Sequence, residues 1–166
     1  MSCQIRSAEE ADIPVIRSLA IEIWPKVYGQ MISPEQIEFM LEWMYSPSAL
    51  QDQMSTGHHF LITEALPETE PIGFASYRCT DTVNWKLEKL YIRVEYQGKG
   101  IGRSLLEQVM KEIGGKGGLH LELQVNRNNP AVHFYRKMGF EVTRNEDFDI
   151  GHGFFMNDHI MARTIG

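Results

Sequence analysis

Between an alternating, strand-like run and a helical stripe the chain reads Gln97-Gly98-Lys99-Gly100-Ile101-Gly102. A strand that stops at a helix N-terminus presents unpaired N–H groups and the positive end of the helix dipole. Glycines there allow positive φ and let a bulky anion approach the backbone. Such a turn suits a phosphate or pyrophosphate, and Lys99 adds a point charge. Two other phosphate loops do not fit. A P-loop needs GxxxxGK[ST], but Gly98-Lys99 is followed by Gly100, and Arg93 stands where the first glycine belongs. A dinucleotide fingerprint needs GxGxxG or a closing Ala, but Gly98-x-Gly100 closes on Arg103 and Gly100-x-Gly102 on Leu105. A tight turn that binds nothing is the plain alternative, and an isolated GxG does not separate the two.

Upstream of this loop, Phe60-Leu61-Ile62, Ile72 to Cys79 and Trp85 to Val94 are rich in β-formers and predict an antiparallel meander. In the last of these runs Leu87, Tyr91 and Arg93 share one parity, and Glu88, Leu90, Ile92 and Val94 the other. Downstream the period becomes β-α-β. Ile101, Leu105, Leu106, Val109, Met110 and Ile113 form one helical face that ends at Gly114-Gly115. Leu119, Leu121, Leu123 and Val125 alternate as a strand. Asn129-Pro130 then predicts a helix start, and Gly139 its C′ position. Phe140 to Thr143 and Phe154 to Thr164 predict a closing pair of strands. Nearer the N-terminus, Ile5-Arg6 opens a short strand. A helical stripe from Ile13 to Trp24 follows Asp12 as N-cap. Ser33-Pro34-Glu35-Gln36 starts a second helix as a capping box, and Ser48 to Ser55 makes a third that stops at Gly57. The fold class this predicts is α+β: a mixed, mostly antiparallel sheet flanked by helices, in a single domain over residues 1–166.

Composition narrows the function classes. Apolar residues are 43% and charged residues 23% of 166, a globular balance that excludes a disordered chain or a coiled coil. No apolar run reaches the roughly 20 residues of a membrane span, and Met1 to Arg6 carries no secretory h-region, so no membrane partner and a cytoplasmic location are expected. Lys plus Arg is 16 and Asp plus Glu is 22, a net charge of −6. That argues against a nucleic-acid partner and mildly favours cationic ones. Cys3 and Cys79 form no CxxC pair. The six histidines include no HExxH and no Cys/His cluster, so no metal is expected. There is no G-x-S-x-G elbow.

Gln97, Gly100 and Gly102 fill the pattern Gln/Arg-x-x-Gly-x-Gly/Ala. Downstream, Asn128-x-x-Ala131-x-x-Phe134-Tyr135-x-x-x-Gly139-Phe140 fits a second motif without a gap. With these two motifs at this separation, nearly the whole chain resembles the GNAT superfamily of acetyl-CoA-dependent N-acetyltransferases. Within it, Glu88 to Ile92 and the ending Phe155 to Ala162 look most like the spermidine/spermine branch. The resemblance implies splayed fourth and fifth strands. Acetyl-CoA as co-substrate would lie along the freed edge at Leu90, Tyr91, Ile92 and Val94, its pyrophosphate on N–H groups from Gln97 and Gly98 through Lys99, Gly100 and Ile101 to Gly102. Arg103 and Ser104 would stand close by, and Asn128 and Ala131 would meet the pantetheine arm.

The same resemblance implies catalytic roles. The N–H of Ile92 would polarise the thioester carbonyl, and Tyr135 would protonate the departing thiolate while contacting the cofactor. Glu88, in phase with Leu90 and Ile92, would serve as base or amine anchor; its plain alternative is an ion pair with Lys86 or Arg78. Trp24, Tyr28 and Phe155 would shape the pocket of a small-molecule amine, and a homodimer is common in the family. Two further readings accompany this one: acetylation of a protein lysine or N-terminus, and a CoA-binding module without turnover.

Overall fold

The computed structural model describes residues 2–166. It contains one seven-stranded sheet in the order β1-β2-β3-β4-β5-β7-β6. The strands are β1 (Cys3–Ser7), β2 (His59–Ala65), β3 (Glu70–Asp81), β4 (Asn84–Ile92), β5 (His120–Asn126), β6 (Glu141–Gly151) and β7 (Phe154–Thr164). Every neighbouring pair is antiparallel except β4 with β5. The helices are α1 (Ile13–Tyr28), α2 (Pro34–Tyr45), α3 (Pro47–Ser55), α4 (Ile101–Gly115) and α5 (Ala131–Lys137). The α+β class expected from the sequence is therefore correct. Among the described residues no helix is long and apolar enough to cross a membrane.

The sheet has a core on each face. Leu105, Leu106, Val109 and Ile113 of α4 are fully buried against Leu121, Leu123 and Met161 on one side, with Val132 and Tyr135 of α5 beside them. On the other side Ile16, Ile23 and Trp24 of α1, with Ile37 and Leu50 of α2 and α3, cover Phe60, Ile62 and Phe74. Each large apolar side chain so removed from water contributes about 1.5–3 kcal/mol. The stripes read at helical spacing are what each helix presents to the sheet.

Several local expectations shift. A 3-10 turn, Glu10–Asp12, precedes α1, and the Asp12 carboxylate accepts from the Glu9 N–H (2.8 Å) while pairing with Arg6. Ser33 caps α2 through the Gln36 N–H (3.1 Å). The reciprocal half of the box is absent, because the buried Gln36 amide donates instead to the Phe155 carbonyl (2.7 Å). Ser46 caps α3 one residue ahead of Pro47, so that helix starts earlier than Ser48. Val94 leaves the strand for a 3-10 turn, Val94–Tyr96. The first strand of the closing pair runs on to Gly151, well beyond Thr143, because it pairs along nearly all of β7.

The parity assigned to β4 also changes. Its register against β3 slips between Ser76↔Lys89 and Tyr77↔Leu87, so Glu88 is a bulge residue without a partner in the ladder. As a result Leu87, Leu90 and Ile92 pack into the α4 side, while Tyr91 packs into the α1 side. Glu88 is therefore not in phase with Leu90 and Ile92; it joins Arg78 and Lys86 on the α1 side.

Candidate active site

The pairing of β4 with β5 covers only Asn84↔His120 to Leu87↔Leu123. Past that point the two strands part, while β5 stays paired with β7 along its other edge from His120↔Thr164 to Asn126↔Asp158. The strand edge from Glu88 to Ile92 is thus left without a partner on the β5 side. Arg93 N–H donates to the Ile72 carbonyl (2.8 Å) on β3. Successive N–H groups of a strand alternate sides, so Ile92 N–H points into the gap. A cleft of about 670 Å³ occupies this gap and reaches both faces of the sheet.

The glycine loop closes one end. Gly98 and Gly100 have φ of +76° and +81°, which an L side chain rarely adopts, and nothing lies where their Cβ atoms would stand. Gly100 ends the loop as the residue before α4, and the first helical bond is Ser104 N–H to its carbonyl (3.1 Å). The N–H groups of Ile101, Gly102 and Arg103 thus have no intrahelical acceptor. Gln97 plays a different part from the one expected. Its own N–H closes the 3-10 turn on Val94 O (3.2 Å), and its side chain donates to Ile92 O (3.1 Å), latching the loop to the end of β4. Arg93 anchors the same corner through Glu22 and Glu70, both at 2.7 Å.

Of the other residues singled out in the sequence, Leu90, Tyr91, Ile92, Val94, Ala131 and Tyr135 line the cleft, as do Glu88, Arg103 and Tyr28. Five do not. Trp24 is core, 3% exposed and packed on Tyr28 and Tyr45. Phe155 is 48% exposed and reaches the rest of the fold through its carbonyl. Ile101 faces the α4 core, and Ser104 is exposed with its N–H spent inside the helix. Lys99 lies over the Tyr96 ring. Asn128 is also outside the cleft wall: its N–H is tied to Asn126 Oδ1 (2.9 Å), and the neighbouring Asn129 takes the wall position. Asn129 also caps α5, accepting from Ala131 N–H (2.9 Å).

The electrostatics separate the titratable groups. Tyr135 is 8% exposed between Phe134 and Phe140, and among the described residues its hydroxyl has no hydrogen-bond partner. Burial, with a smaller contribution from Tyr28, keeps its proton on well above neutral pH. The Tyr28 and Tyr91 hydroxyls bond to each other (2.9 Å), and burial pushes Tyr28 up to about 12. Glu88 is held by Arg78 (2.6 Å) and Lys86 (3.7 Å). Burial works to raise its carboxyl, but these cations prevail and hold it below its ordinary value. Lys89, absent from the sequence reading, is 6% exposed under Tyr45 and Phe60 with Gln53 Oε1 at 2.9 Å. Its burial brings the amine down to about 8. Gln124 was also missed; the alternation of β5 puts it opposite the leucines, but only the strand splay brings it to the cleft.

No group of three or more His, Cys, Asp or Glu among the described residues is arranged to hold a metal. The loop with its open helix N-terminus fits an anion, and the free strand edge fits an extended amide-bearing arm. Comparisons with known proteins agree. Residues 29–155 match the family model described as an acetyltransferase (GNAT) domain. A spermidine N(1)-acetyltransferase of Thermoplasma acidophilum is 32% identical over 153 residues, covering 90% of this chain and 94% of that protein. A peptidyl-lysine N-acetyltransferase of Salmonella typhimurium, YjaB, is 32% identical over 125 residues, covering 66% and 79%. The crystal structure of the PaiA N-acetyltransferase from Thermoplasma acidophilum in complex with coenzyme A superposes with a TM-score of 0.84 at 31% identity, covering 99% of each chain. The strand splay, the glycine loop and these matches together show that the chain belongs to the GNAT superfamily of acetyl-CoA-dependent N-acetyltransferases.

Proposed function

We propose that this acetyltransferase acetylates a primary amine of a small cationic acceptor, of the polyamine class, by direct attack in a ternary complex. The observation that carries the reading is the cleft itself, which joins a free strand edge and an open helix N-terminus to a chamber lined by Tyr28, Tyr91 and Glu88. The similarity to a spermidine acetyltransferase over nine-tenths of the chain supports the polyamine class. Direct transfer is supported by the cysteines: Cys3 lies on β1, Cys79 is exposed near the end of β3, and neither lines the cleft.

In this reading the N–H groups from Gly98 to Gly102 hold the pyrophosphate, and the edge from Leu90 to Val94 pairs with the pantetheine arm. Ile92 N–H polarises the thioester carbonyl where negative charge develops. Tyr135 donates its proton to the departing thiolate. An alkylamine has a pKa of about 10.4 and is mostly protonated at neutral pH, so a carboxylate that attracts the ammonium raises its local concentration. Glu88, at the chamber wall but shared with Arg78 and Lys86, contributes part of that attraction.

Protein-lysine acetylation is the second reading, favoured by the similarity to a peptidyl-lysine acetyltransferase. Thiol release from acetyl-CoA, followed across spermidine, spermine, amino acids, aminoglycosides and lysine peptides, tests both. Polyamines are expected to give the highest kcat/KM. A peptide that outperforms them favours the second reading, and CoA binding without release on any amine leaves a binding module.

A further inference from the structure

Glu88 is already engaged by two cations, which makes it a weak proton acceptor. A second buried carboxylate lies on the same face of the sheet. Asp158 stands on β7 opposite Asn126 of β5 and is 3% exposed. Its Oδ2 accepts from Gln124 Nε2 (3.4 Å); Gln124 lines the cleft, and Asp158 stands directly behind that lining. The Gln124 amide is oriented from its other end, where Oε1 accepts from Lys86 Nζ, so its N–H groups are left for Asp158. Glu88, Lys86, Gln124 and Asp158 thus form one continuous polar chain across β4, β5 and β7.

Among the described residues no cation forms an ion pair with the Asp158 carboxylate, although Arg127 and Lys86 act on it from further away. Arg127 donates to its backbone carbonyl (3.3 Å), while the guanidinium pairs with Asp147 (2.8 Å) on β6. Glu146, also on β6, stands opposite Asp158 in the ladder. Tyr28 of α1 approaches from the helical layer. Among the described residues no donor reaches Asp158 Oδ1, yet that oxygen is not one of the sealed polar atoms without a partner. A carboxylate kept from water with no cation paired to it is costly, and an ammonium ligand offsets that cost.

We propose that Asp158, oriented by Gln124, is the carboxylate that receives the acceptor's ammonium and takes its proton. The proposal rests on the amine-acetylating reading above. Asp158 Oδ1 accepts one proton from the ammonium, and the freed lone pair attacks the thioester carbonyl carbon. The C–N bond forms, the C–S bond breaks, and the thiolate takes the Tyr135 hydroxyl proton. The nitrogen loses its second proton as the amide forms; that proton returns to Tyr135 through solvent, and Asp158 releases its own. Burial lifts the Asp158 carboxyl to about 6, against the pull of Gln124, Arg127 and Lys86. A base works best with a pKa near the operating pH, which favours Asp158 over Glu88.

The test is Asp158→Asn in the full chain, assayed with whichever polyamine the wild type acetylates best. We expect kcat/KM for the amine to fall roughly 10²-fold or more, with the acetyl-CoA Kd unchanged. The wild-type kcat/KM should drop on its acid side near pH 6, and Asp158→Asn should lose that limb. Asp158→Glu should recover part of the rate. If Asp158→Asn does not fold, Gln124→Met decides: losing the amide donor should move the acid limb to higher pH. An unmoved limb, or an Asp158→Asn enzyme with wild-type kcat/KM, overturns the proposal. A wild type that acetylates no amine removes the underlying reading instead.

Discussion

Tyr135 shows how one residue can be read two ways. Its ring packs edge-on against Phe134 and Phe140, as an ordinary core aromatic would, yet the residue lines the cleft and among the described residues its hydroxyl has no partner. Removing only the hydroxyl separates the two roles. Tyr135→Phe keeps the packing, so stability and acetyl-CoA affinity should hold while kcat falls by about 10²-fold, the usual scale for loss of a general acid. Stopped thiol-release assays and calorimetry measure the two; an unchanged kcat removes the assigned role. Sequence made Tyr135 visible because the motif marks its position. Asp158 and Gln124 carried no such mark. Each is a polar residue in an alternating strand, where a solvated face is the ordinary reading, and only burial with a specific partner distinguishes them.

At the scale of elements, β4 and α4 teach opposite lessons. The start of α4 was legible because its requirement is local: positive φ at Gly98 and Gly100 is a property of the backbone alone. Gly100→Ala should therefore cost about 1–2 kcal/mol of stability and weaken acetyl-CoA binding by disturbing the turn. Gly102→Ala should change neither much, because its Cβ would meet Ile92 and Phe134 at 3.8 Å, an ordinary contact. Denaturant titration and calorimetry on the pair check this, and equal losses at both positions would mean that backbone conformation is not what the loop requires. The face of β4 was not legible. Alternation presumes an unbroken ladder, and the bulge at Glu88 reverses the parity of every residue after it. The bulge moves Glu88 toward Arg78 and Lys86, the ion-paired alternative that sequence left open.

For the whole molecule, a net charge of −6 coexists with a cleft wall that carries Lys26, Lys89, Arg103 and Lys137. Acidity overall discourages a broad polyanion surface, while one anion can be held locally by the backbone N–H groups of the glycine loop. Acetyl-CoA at 100 times its Kd should add about 2.7 kcal/mol. At about 2–4 °C per kcal/mol for a chain this size, thermal denaturation should shift upward by about 5–11 °C, whereas NAD and ATP should leave Tm where it was. No shift with saturating acetyl-CoA would contradict the placement of the cofactor on this loop. By itself the sequence determined the α+β class, the helix stripes, the glycine turn and the family, because each depends on neighbours a few residues apart or on a contiguous motif. Only the tertiary structure decided which residues line the cleft. That outcome depends on where β4 bulges within its hairpin with β3 and on where it parts from β5, a strand distant in sequence.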